Sequence, residues 1–193
     1  MLIMNRLIVT LLLLCNAFIA VGQTSAGEYV SIDGLEKSLG VNMKFKVSDG
    51  WQEHQPRLPH VVKSFYNLRY GLAFNIVIQE APTFVSRNEF RNAMDEYHKQ
   101  YDDMYHKEPS VLYYSELSYD AVTIDQYPFM ATCVVEQRDY SDYRDSVMRY
   151  LTFYEDRIII ITFLNQYIDV RLCQSTIDDI VSSIVFPDQY LTY

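Results

Sequence analysis

The chain contains no Gly-x-Ser-x-Gly, no His-Glu-x-x-His, no phosphate-cradling glycine loop and no Cys-x-x-Cys. Those are the short patterns that place a nucleophile, a zinc pair, a nucleotide or a redox couple within reach of a substrate. Their joint absence argues against an enzyme and implies no cofactor. Cysteine is scarce, with only Cys15, Cys133 and Cys173. Basic residues are outnumbered, 16 against 25 acids, for a formal charge of -9. Such a surface repels phosphate backbones and excludes nucleic acid as a natural partner. No internal repeat, coiled-coil heptad or dividing linker is present, so the chain reads as one domain with an N-terminal extension.

The one long apolar run, Leu7 to Val21, follows a short segment whose only charge is Arg6. That is the layout of a signal peptide over residues 1–22, with small residues at Ala20 and Gly22 and cleavage before Gln23. The run is short for a bilayer span and lacks a basic stop-transfer flank. Lipidation at Cys15 is disfavoured because Leu14, not a small residue, precedes it. The expectation is an exported protein, periplasmic or extracellular, without a stable membrane span. In that compartment Cys133 and Cys173 form a candidate disulfide. The mature length is ample for a real hydrophobic core, so a disulfide is not required for stability.

What the sequence has in excess is tyrosine, 17 residues. A tyrosine ring is apolar and its hydroxyl wants a partner, so these residues belong at the rim of a core, tiling a half-buried sheet or forming a binding face. Residues 23–37 read as a flexible leader and 38–193 as the folded domain. Val41, Met43, Phe45 and Val47 alternate with polar residues, predicting a strand. Residues 52–59, with two prolines, predict a loop. Strands are expected at 61–67 and 72–80, then an amphipathic helix opened by a Ser86/Glu89 capping box, with Phe90, Met94, Tyr97, Tyr101 and Tyr105 on its apolar face. An antiparallel run follows at 111–116, 119–124, 128–138, 146–154 and 157–165. The stretch Ile158 to Leu164, apolar almost without break, marks the most buried strand. A second helix is expected from Ser175. The class is α+β, an antiparallel sheet flanked by two main amphipathic helices.

With that order in hand, Phe45-Lys-Val-Ser-Asp-Gly-Trp51, the strand Asn75 to Ile78, the Tyr127-Pro128 turn, the hairpin 150–163 and the ending Ile180 to Phe186 resemble the secreted PsbP/Mog1-like group, which includes DcrB-like lipoproteins. The likeness covers residues 38–187, and Gln126-Tyr127 stands where the group's pattern carries a glycine before the proline. The resemblance implies a layered sandwich used for docking to other proteins, immunity proteins against toxins among them. It brings no shared active site.

Tyr140, Asp142, Tyr143 and Asp145 form a candidate protein-binding loop, aromatic anchors within an acidic rim that suits a basic partner. Trp51, His54 and His60, with Arg57 between them, are a candidate pocket. His98, Asp102 and His106 fall on successive helical turns, and Asp139, Asp142 and Asp145 offer loop oxygens, but neither set matches a metal-site pattern and no metal is expected. The expectation is a non-enzymatic periplasmic or envelope protein that binds another protein. The alternatives are an immunity or inhibitor protein, or a small-ligand carrier with a pocket between sheet and helix.

Overall fold

The structure, a computed structural model, describes residues 27–56, 58–81 and 89–190. The expected signal peptide, Ser86 and Arg57 lie outside the described residues. Two β-sheets, two α-helices and short 3-10 turns make up the described chain. The first sheet is a small pair, β1 (Tyr29–Ser31) and β2 (Lys44–Lys46). The second is antiparallel throughout and runs β3 (Trp51–His54), β4 (Val61–Asn67), β5 (Leu72–Glu80), β9 (Arg157–Asn165), β8 (Asp145–Tyr154), β7 (Tyr127–Arg138) and β6 (Val111–Ile124) in spatial order. Helix α1 (Phe90–Lys107) lies between β5 and β6 in the chain, and α2 (Gln174–Val181) follows β9.

The centre of the sheet is β9, as its composition demands. It is paired on both sides, with β5 and β8, and apolar residues cover both of its faces. Ile159, Ile161 and Phe163 join one hydrophobic cluster, Ile158 and Ile160 the other. A strand with no wet face has no reason to alternate, hence an Ile158 to Phe163 run broken only by Thr162. The larger cluster stacks Phe74 on Phe163 at 4.9 Å and sets Phe45 edge-on to Phe74 at 5.4 Å. Ile177, Ile180 and Ile184 from α2 and its C-terminal extension close that face, together with Val30, Ile32 and Met43. On the opposite face Phe90 and Met94 of α1 pack on Val61, Val77, Met130, Leu151 and Ile160. The two helices therefore take opposite faces of the sheet.

Several expectations need correction. Residues 29–31, read as leader, form β1, and Val30 and the following Ile32 are buried in the main core. A three-residue strand carries too little alternation to stand out in a sequence. Residues 52–54, read as the opening of a loop, belong with Trp51 to the edge strand β3 on β4. The two strands expected at 111–116 and 119–124 are one strand, β6, whose register shifts between Glu116 and Ser118. That bulge resets the alternation and made one strand read as two. Ser175 does not cap α2, which starts at Gln174 after a 3-10 turn opened by Asp169, whose side chain accepts from the Arg171 N–H at 2.9 Å.

Helix α1 ends as expected, since Glu108 precedes Pro109 and takes an extended conformation. The β6–β7 hairpin turns on Asp125 and Gln126, both at positive φ, 44° and 66°. That geometry favours Asn-Gly or Asp-Gly. Asp125 is held there by the end of the chain: its carboxylate accepts from the Phe186 N–H at 2.6 Å and from the Gln189 amide and Tyr190 hydroxyl. Glu155, in the β8–β9 turn, also takes a positive φ, 54°, and is exposed. Glu155→Gly is expected to stabilise the protein by about 0.5–1 kcal/mol, removing left-handed strain partly offset by the flexible unfolded glycine. Thermal melts should show a rise of roughly 2–3 °C, and a fall would show that Glu155 is not strained.

Candidate functional site

Two features stand out once the strands are registered, and they lie in different parts of the molecule. The first is on the α1 face. Along β7 the residues pointing to this face are Met130, Thr132, Val134, Glu136 and Arg138, and along β8 they are Asp145, Val147, Arg149 and Leu151. The face is apolar under the start of α1 and charged under its end. Arg149 pairs in register with Thr132 on one side and Thr162 on the other, in the middle of the sheet. It is 6 % exposed, and Glu136 is fully buried. The Arg149 Nη2 stands 3.6 Å from Glu136 Oε1, and Arg138 Nη2 is 3.9 Å from Oε2 of the same carboxylate.

Helix α1 roofs this charge with rings. Tyr97, Tyr101 and Tyr105 recur every four residues; the first two rings stack at 6.3 Å and the second pair meets at a tilt at 4.6 Å. The Arg149 guanidinium lies 5.4 Å from the Tyr101 ring, and that of Arg138 lies 4.9 Å from the Tyr105 ring. Aromatic faces hold a desolvated cation there without a full set of hydrogen bonds. Tyr101 donates to the Tyr105 hydroxyl at 2.7 Å, and burial pushes the Tyr101 phenol well above its ordinary range. Directly opposite Glu136 sits Asp145, whose carboxyl is raised to about 6 by burial and then by Glu136.

Beneath the Tyr97–Tyr101 turn a cavity of about 50 Å³ remains. Met130, Val134, Leu151 and Ile160 form its apolar wall, and Arg149, His60 and Gln79 enter it. Nε and Nη1 of Arg149 and Nε2 of His60 are buried there with no hydrogen-bond partner. Burial, followed by Lys37, lowers the His60 pKa. His98 and Glu116 also line the cavity, joined at 2.8 Å, with His98 against the Tyr119 ring at 4.0 Å.

The second feature is the end of the sheet carrying the β4–β5 turn, the β7–β8 loop and the exit of β9. Buried Asn165 ties this end together: its amide donates to the Tyr70 carbonyl at 2.7 Å and its oxygen accepts from the Tyr167 and Ile168 N–H groups. Around it Leu68, Tyr140, Tyr143, Tyr167 and Ile168 are exposed, Tyr167 to 70 % and Tyr143 to 57 %. The Tyr143 and Tyr167 rings meet at 5.9 Å. Arg144, on the same loop, covers the Tyr113 ring at 3.9 Å.

The sequence-derived residues distribute unevenly over these two places. Tyr140, Asp142 and Tyr143 are exposed at the aromatic end. Asp145 is not with them: it is the first residue of β8, 3 % exposed, and belongs to the buried charge cluster. Trp51, His54 and His60 do not share a pocket. Trp51 packs on Phe74 in the main core, His54 lies near Tyr66, and only His60 reaches the α1 cavity. Cys133 and Cys173 are both buried in the main core and both are free thiols in this structure.

His98 does not stand on the solvent side with Asp102 and His106, because it turns to Glu116 while His106 faces Asp102 at 3.6 Å. Among the described residues no group of three His, Cys, Asp or Glu side chains is placed to hold a metal. Nor is any helix among them long and apolar enough to cross a membrane.

Glu136, Arg138 and Arg149 escaped the sequence reading. The available signal was an arginine inside Val147-Met-Arg-Tyr-Leu151, where a strand otherwise carries apolar residues.

No family model and no curated protein matches the chain. Solved structures do. Cyanobacterial PsbP (CyanoP) from Synechocystis sp. PCC 6803 aligns over 87 % of this chain and 98 % of its own, with a TM-score of 0.55 at 12 % identity. A protein from Bacteroides thetaiotaomicron VPI-5482 aligns over 78 % of this chain with a TM-score of 0.51 at 11 % identity, and the match spans only 47 % of that protein. The Ran-binding protein Mog1p of Saccharomyces cerevisiae aligns over 86 % of this chain and 99 % of its own, with a TM-score of 0.49 at 9 % identity. At identities this low what is shared is the fold, and the chain has a PsbP-like fold.

Proposed function

We propose that this chain is an exported, non-enzymatic protein that docks a basic partner protein through the aromatic end of its sheet. The observation that carries the reading is the convergence of exposed rings from separate connections, with Tyr143 and Tyr167 in contact and more than half exposed. Monomeric surfaces rarely gather large apolar side chains in one place without a use for them. Tyrosines on a buried scaffold lose little freedom on binding and supply desolvated area. The formal charge of -9, with Asp139 and Asp142 exposed on the same loop, steers a basic partner to the rings. Whether that partner is an envelope component or a secreted toxin is a distinction of biology that both chemistries share.

A photo-crosslinking phenylalanine analogue at position 143 or 167, compared with position 99 on the exposed side of α1, tests this in the native cell. One discrete adduct is expected from 143 and 167 and none from 99. Adducts from 99 alone, or from none of the three, would overturn docking at this end. Export is tested separately by fractionation and by N-terminal sequencing of the mature chain, expected to begin at Gln23. A second reading, a small-ligand carrier, is favoured by a different observation, the cavity under α1.

A further inference from the structure

We propose that the cavity beneath α1 binds a short-chain monocarboxylate, its head on the unpartnered N–H groups of Arg149 and its alkyl body against Met130, Leu151 and Ile160. The inference deepens the ligand-carrier reading and is independent of docking at the aromatic end. It begins from an arginine 6 % exposed in the middle of a sheet, lining a cavity, with Nε and Nη1 unpartnered. Buried donors are nearly always matched by an acceptor, and a guanidinium prefers a carboxylate. Glu136 does not fill that role: it faces Arg149 at Nη2, at 3.6 Å, and it also serves Arg138.

Charge and size narrow the ligand. One fully buried carboxylate, Glu136, is shared by two arginines, and the Nε and Nη1 groups of Arg149 are left without an acceptor. Glu116, the other acid at the cavity, is committed to His98 at 2.8 Å. A volume of about 50 Å³ is roughly a third of the cavity that takes benzene, so the occupant has only a few heavy atoms. A phosphate would press oxygens onto Met130, Leu151 and Ile160, which offer no donors. A carboxylate is polar at one end only, so its head can face Arg149 while its alkyl end lies against the wall of Met130, Val134, Leu151 and Ile160.

The probe is sodium propionate, titrated calorimetrically into the intact mature protein, with propionamide and sodium chloride at equal ionic strength as controls. Saturable binding of propionate is expected, at least tenfold tighter than propionamide, with methyl NMR shifts confined to Leu151, Ile160 and Met130. Arg149→Met should abolish binding but risks the fold, so Leu151→Phe, which fills the cavity and leaves Arg149 in place, is the companion variant and should weaken binding at least tenfold. Tyr143→Ala/Tyr167→Ala should leave propionate binding unchanged, which separates this site from docking. The proposal is overturned if propionate gives no saturable signal, if propionamide binds equally, if chloride reproduces the effect, or if Leu151→Phe binds undiminished.

Discussion

Replacing Arg149 with methionine is expected to destabilise the protein by about 3–5 kcal/mol, and replacing Glu136 with leucine by a similar amount, because each change leaves the other charge buried without its partner. The double variant should cost clearly less than the two single costs added together. Arg149 and Glu136 are 6 % and 0 % exposed, and neither can turn to water when the other is removed. The remaining ion pair cannot absorb the loss, since Arg138 stands 3.9 Å from Glu136 and is itself buried. In the double variant Met and Leu satisfy the apolar neighbours, and Arg138 retains Asp145 in its field. Urea denaturation of the four proteins at pH 7 gives the coupling energy, expected to reach about 2 kcal/mol. Strict additivity would mean that the tyrosine rings, not Glu136, hold Arg149 in place.

That cluster also marks the boundary of what a linear reading can reach. Period-2 alternation placed β4, β5, β7, β8 and β9 to within a residue, because each has a face whose chemistry differs from the other or, for β9, no wet face at all. Local turn chemistry fixed the connection at 68–71 for the same reason. Features that depend on which strands become neighbours were not legible. Glu136 and Arg138 look like the wet side of an ordinary strand until β8 is laid against β7 and α1 is lowered over both. Trp51 and His60 are close in sequence, yet one joins the core on the α2 side and the other the cavity on the α1 side. Asp145 reads as loop because it follows Asp142 and Tyr143, but it is already the first residue of β8. The exposed tyrosines of the 139–144 loop were legible as a surface. Their meeting with Tyr167 was not, since it depends on β8 and β9 pairing and on Asn165 fixing the exit.

Asp145→Asn is expected to make the protein more stable than the wild type at pH 7.5 and to leave it nearly unchanged at pH 4. The Asp145 carboxyl titrates near 6 in the folded protein against an ordinary 3.8. Burial is the main cause and Glu136, directly across the strand pair, the second. Gln166, Arg138 and Arg149 pull the other way without prevailing. The folded state thus holds this proton more tightly than the unfolded chain. Its contribution to stability is complete below about pH 4 and is lost as pH rises through 6. Two pKa units correspond to about 3 kcal/mol, of which about 2 should be recovered by an asparagine that keeps a hydrogen bond to Gln166 but carries no charge. Urea midpoints of the two proteins between pH 4 and 7.5 measure the difference directly. A gap that opens between pH 4.5 and 7 is the expected result. A constant gap would place the Asp145 titration outside that window.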